Sequence, residues 1–172
     1  MPVNVKKITL WRREIANQPG ALATVLEPIA TAGADLQVAM GYRIPGRESQ
    51  AVVELAPVED RKQTSAAEQA GLRPSDIPTL VVQGDNRPGL GYALARELGQ
   101  AGVNMAFLVA LVVGRRYSGV FGFESQEDAA KAAEILRRAT AARGARRSSA
   151  RAMGRAANRL GASRRGTTRR PR

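Results

Sequence analysis

The chain has 172 residues, 27 Lys+Arg against 15 Asp+Glu, a formal net charge of +12, and neither Cys nor His. Without Cys there is no disulfide framework, no thiolate nucleophile and no Cys-based zinc site, and without His the commonest general base and metal ligand are missing. The first eleven residues, MPVNVKKITLW, lack the apolar stretch of a secretory signal, and the longest apolar run, Met105–Val113, has nine residues where a membrane span needs about twenty, so a soluble, cytoplasmic protein with no membrane partner is expected.

In chain order, Lys7–Ile15 is rich in apolar and β-branched residues and reads as one strand that ends at the turn Asn17-Gln18-Pro19-Gly20. In that turn Asn suits a helix N-cap and Pro the first helical turn, and Leu22, Val25, Leu26 and Ile29 follow at helical spacing. Pro28 falls inside this pattern and predicts a kink or an early end. Gly33 is placed to terminate the helix. Two strands, Asp35–Ile44 and Gln50–Ala56, are joined by Pro45-Gly46, and a second helix is expected near Val58–Ala70. Strand signals resume over Leu72–Gln83, where a last strand of this unit is shared with, or runs directly into, a new first strand at Thr79–Gln83.

The pattern then repeats. Asn86-Arg87-Pro88-Gly89 matches Asn17–Gly20, and Ala101-Gly102-Val103-Asn104-Met105 matches Ala32-Gly33-Ala34-Asp35-Leu36, both at an offset of 69. A constant offset at two separated landmarks implies duplication of a unit of roughly seventy residues. The second copy has a helix carrying Leu94, Ala95 and Leu98, strands at Asn104–Val113 and Tyr117–Phe123, and a helix near Ser125–Arg143. The order β-α-β-β-α-β gives an α+β, ferredoxin-like plan: antiparallel sheets with helices on one face. The expected division is 1–74 for the first unit, 75–142 for the second, and 143–172 for a disordered Arg-rich tail. Met105–Val113 is apolar at every position, so it is expected to be covered on both faces, one by its own helices and the other by a second sheet or subunit.

Two copies of strand, Asn-x-Pro-Gly, helix, Ala-Gly-[Ala/Val]-[Asp/Asn]-[Leu/Met], strand, strand, helix resemble the ACT domain, and the arrangement over about residues 7–140 is similar to stand-alone tandem ACT proteins. The resemblance implies a βαββαβ fold and an amino acid or similar small ligand held where two ACT units meet, beside the loop between first strand and first helix. It also fits a homodimer and a regulatory protein with no catalytic activity and no cofactor.

A glycine at a helix N-terminus admits a ligand to the backbone, and the unpaired N–H groups there favour a carboxylate. The candidate ligand residues are therefore Asn17, Pro19, Gly20, Ala21 and Leu22 in the first copy, and Asn86, Pro88, Gly89, Leu90 and Gly91 in the second. Asp35 and Asn104, at the starts of the adjoining strands, are candidates for a ligand amino group. The second loop is expected to be the more open, because Gly91 stands where the first copy has Leu22, and it is the favoured site if only one copy binds.

Other motifs fail. Gly89-Leu90-Gly91 has Leu94 where a dinucleotide fingerprint needs its third glycine, and no Lys-Ser/Thr follows to make a P-loop. Glu59-Asp60 and Glu127-Asp128 fall at helix starts, where capping explains them better than acid/base chemistry. The charge is segregated: residues 137–172 hold 13 Arg and no acid, leaving 14 basic and 15 acidic residues in 1–136. Nonspecific, salt-dependent contact with nucleic acid is the alternative function, with Arg146, Arg147, Arg164, Arg165, Arg169 and Arg170 as candidate phosphate contacts.

Overall fold

The structure, a computed structural model, describes residues 3–139. The Arg-rich tail and its six candidate arginines lie outside the described residues. The elements are β1 (Asn4–Ile8), β2 (Trp11–Ala16), α1 (Ala21–Thr31), β3 (Val38–Ile44), β4 (Arg47–Ala56), α2 (Arg61–Gln69), β5 (Arg73–Pro74), β6 (Thr79–Asp85), α3 (Leu90–Gln100), β7 (Met105–Val113) and β8 (Arg116–Phe123), followed by helix α4 over 126–139.

They form two four-stranded antiparallel sheets, ordered β3-β4-β2-β5 and β1-β6-β8-β7. In the first sheet the inward residues Trp11, Val53 and Leu55 pack against Val25 and Ile29 of α1 and Ala67 of α2. In the second, Leu80, Val82, Phe121 and Phe123 pack against Leu90, Leu94 and Leu98 of α3 and Ala129, Ala132 and Leu136 of α4. Each sheet carries both helices of its unit on one face, as the α+β reading requires. Asp60 caps α2 by accepting from the Gln63 N–H at 2.7 Å, and Ser125 accepts from the Asp128 N–H at 3.0 Å at the head of α4.

The expected single strand Lys7–Ile15 is two strands in different sheets. β1 pairs with β6, from Asn4 opposite Gln83 to Ile8 opposite Thr79, while β2 pairs with β4 and β5. The chain crosses between sheets at Thr9-Leu10, and Leu10, fully buried, packs there with Val38, Ala56, Val81 and Val120. The fourth strand of the second unit is thus the amino-terminal one, and both units have the same strand order.

Three further expectations change. Helix α1 continues through Pro28 to Thr31, with the Pro28 carbonyl accepting from Ala32 N–H. Leu22 and Ala95 point outward, and Leu90 and Ala93 take core positions instead. The run 105–113 is not covered on both faces by its own chain: it is an edge strand, and Leu108 and Val112 on one side and Val109, Leu111 and Val113 on the other are all exposed. The two sheets meet not along this strand but at the Leu10 cluster, to which β7 adds only Phe107.

Candidate functional site

Both Pro-Gly turns have the same construction. Ala21 N–H donates to Gln18 O and Leu90 N–H to Arg87 O, closing four-residue turns with Pro at the second position and Gly at the third. Gly20 and Gly89 have φ of 82° and 75°, as a type II turn requires at that position. These glycines, not Asn17 or Asn86, are the helix N-caps, and no side chain bonds the first-turn N–H groups in either helix. The asparagines act as ties instead: Asn17 N–H donates to Ser49 O and its Nδ2 to Glu48 O, and Asn86 N–H donates to Arg115 O. Each fastens its turn to the hairpin that follows the helix. A Cβ added at Gly20 or Gly89 meets nothing within 4 Å, so both helix N-termini open outward.

At the first copy this opening leads into a cleft of about 540 Å³, lined by Arg13, Glu14, Ile15 and Ala16 of β2, Gln18, Ala21, Thr24 and Val25 of the turn and helix, and Ser49 and Gln50 of β4. That size suits a small ligand. Of the sequence candidates, Ala21 lines it directly, with Asn17, Pro19 and Gly20 in the adjoining turn and Leu22 turned to solvent. In the second copy the Leu90 side chain is buried in the core, while Gly91 lies open.

Asp35 and Asn104 are not brought to these turns within their own units. Asp35 precedes β3 beside Ala56, whereas the turn sits at the Gln50 end of β4. Six residues of strand, about 20 Å, separate the two ends. Asn104 donates from Nδ2 to Glu124 Oε1 at 2.8 Å at the equivalent far end.

The cleft's principal cation, Arg13, was not among the candidates. It faces the helices between Trp11 and Ile15, and its Nη1 donates to Ala70 O at the end of α2. Gly71, with φ of 74°, leaves room for it: a Cβ there would lie 3.2 Å from Arg13 Nε. A charged residue at an inward position of an otherwise apolar strand face was the available signal. On the opposite face of the same strands Glu54 is buried, accepts from Tyr42 Oη at 3.1 Å and lies 3.9 Å from Arg12 Nη1. Burial pushes its carboxyl above the ordinary range, with Tyr42 and Arg12 opposing.

Among the described residues no group of three or more acidic side chains is placed to hold a metal ion, and no helix is long and apolar enough to cross a membrane. No protein-family model and no curated protein matches the sequence. Solved structures do match. A protein of Bacteroides thetaiotaomicron aligns with a TM-score of 0.62 and 16% identity, over 77% of this chain and 88% of that one. The ligand-free regulatory subunit of aspartate kinase from Thermus thermophilus aligns with a TM-score of 0.55 and 16% identity, over 81% of this chain and 97% of that one. Clostridium acetobutylicum aspartate kinase, described as an allosteric enzyme, aligns with a TM-score of 0.56 and 14% identity, over 80% of this chain and 34% of that one. The chain therefore has the tandem ACT fold found in aspartate kinase regulatory regions.

Proposed function

We propose that the chain is a non-catalytic regulatory module that binds an amino acid or a similar small carboxylate in the cleft at the first strand–helix turn. The observation that carries this reading is the coincidence of an uncapped helix N-terminus with a cleft of about 540 Å³ whose lining includes Arg13, Glu14, Thr24, Ser49 and Gln50. First-turn amides and the positive helix end favour a carboxylate, and the polar rim of β4 offers acceptors to an amino group. Likeness to regulatory regions of aspartate kinase supports the class of role. It does not name the ligand. The second turn, with Asn86, Pro88, Gly89 and Gly91, is the other location in this reading.

The test is thermal unfolding of the full chain with each common amino acid at millimolar concentration. A ligand at a hundred times its dissociation constant adds about 2.7 kcal/mol and raises the midpoint by several degrees. Ala21→Glu places a carboxylate in the cleft at the helix N-terminus, which stabilises the free helix by about 0.3–1 kcal/mol. This variant is expected to fold and to lose the ligand-induced shift. No shift from any amino acid, or an undiminished shift in Ala21→Glu, counts against the proposal.

A second reading rests on charge segregation: a dimeric scaffold whose Arg-rich tail, 143–172, engages nucleic acid.

A further inference from the structure

β5 pairs with β2 only at Trp11 and Arg12, so the first sheet is cut short along this edge. Beside the short strand lies a hollow of about 590 Å³, whose lining includes three guanidinium groups, Arg12 and Arg13 of β2 and Arg73 of β5, and the hydroxyl of Ser75. Arg13 Nη1 donates to Ala70 O, and Arg73 Nη1 donates to Glu68 O and Leu72 O. These partners are neutral carbonyls at the end of α2, so they hold the two forks in place without compensating their charge. Each guanidinium carries five N–H donors, and among the described residues no other group accepts from either. Ser75 Oγ accepts from Ile77 N–H at 3.3 Å, which leaves its own hydrogen to donate.

Two carboxylates also line the hollow. Glu14 is engaged by Arg12 at 3.6 Å and Arg47 at 4.0 Å. Asp76 is exposed and has no ion-pair partner among the described residues. We infer that the hollow is a binding site for a phosphate group, held by the forks of Arg13 and Arg73 with Ser75 donating and Arg12 adding charge. Arginine forks match phosphate oxygens, and three of them with a hydroxyl offer more donors than the two oxygens of one carboxylate take up. Asp76 suits an amine on the same ligand, as in a small phosphate monoester. The hollow is separate from the cleft at the first turn, although Arg13 and Glu14 line both, and phosphate binding there does not depend on an amino acid ligand.

The test is thermal unfolding of the full chain in inorganic phosphate or in phosphoethanolamine, each against sodium chloride of equal ionic strength. Phosphate is expected to raise the native midpoint by several degrees and to saturate. Arg73→Gln carries the same Arg-rich tail and is expected to need at least about tenfold more phosphate for the same rise. Asp76→Asn removes a repelling charge and is expected to need about threefold less. A larger rise with phosphoethanolamine, lost in Asp76→Asn, identifies an amine-bearing monoester as the ligand, and equal rises identify the free ion. No rise beyond the chloride control, the same phosphate dependence in Arg73→Gln as in the native chain, or an Asp76→Asn variant that needs as much phosphate as the native chain would each overturn the inference.

Discussion

Glu54 sits on β4 with its side chain toward the opposing sheet, closed to solvent, and its Oε1 has no hydrogen-bond partner. The groups facing it come from both neighbouring strands: Arg12 of β2, 3.9 Å from Oε1 and itself beside Glu14, and Met40 and Tyr42 of β3. An ion pair at that distance with a half-exposed arginine offsets little of the cost of burying a carboxylate. The folded state therefore holds the Glu54 proton more tightly than the unfolded chain does. The native state binds more protons than the unfolded one between the ordinary Glu value, about 4.3, and the raised folded value, so stability falls as pH rises through that window. Above it the loss is complete and constant. Glu54→Gln keeps an acceptor for Tyr42 and removes the charge. Its unfolding midpoint at pH 8 is expected to exceed that of the native chain, with the difference shrinking toward pH 4.5. A native chain that gains stability between pH 4.5 and 8 relative to Glu54→Gln would show that the Arg12 pair outweighs desolvation.

β1 shows what an element's periodicity contains and what it omits. Its side chains alternate as a strand's should, with Val5 in the core of the second unit, Arg137 donating to Val5 O and Lys7 Nζ to Gln126 Oε1. Removing residues 1–8 is expected to raise amide exchange at Val82 and Phe121 by at least a hundredfold, while Val53 and Leu55 in the other sheet keep most of their protection. Loss of protection at Val53 and Leu55 instead would mean that β1 supports the first sheet. Only Lys7 and Ile8 of β1 fall within the stretch that reads as a strand, and its partner was not legible at all. Lys7–Ile15 is rich in apolar and β-branched residues, and that content does not distinguish one long strand from two that cross between sheets at Thr9-Leu10. The duplicated turns were legible for the opposite reason: Pro-Gly at a fixed offset encodes a local backbone shape, and Gly20 and Gly89 adopt it with positive φ. The cap was misassigned to Asn17 because Asn is a good cap in general, whereas here its amide reaches across to Glu48 O, a contact set by tertiary packing. Asp35 was grouped with the turn because sequence adjacency to a strand start does not say at which end of the sheet that start lies.

The whole molecule separates two electrostatic regimes. Residues 1–136 are nearly neutral, with 14 basic and 15 acidic side chains, whereas 137–172 carry 13 Arg and no acid. Eleven of those arginines lie beyond residue 140, so deletion of 141–172 removes most of the positive charge without touching either sheet. The full chain is expected to bind duplex DNA and RNA of any sequence at low salt, and the deleted chain not to bind at moderate salt. If half of the eleven contact phosphates, the plot of log affinity against log salt has a slope of about −5. Retention of binding after the deletion would place the nucleic acid surface on the folded units and end the scaffold reading.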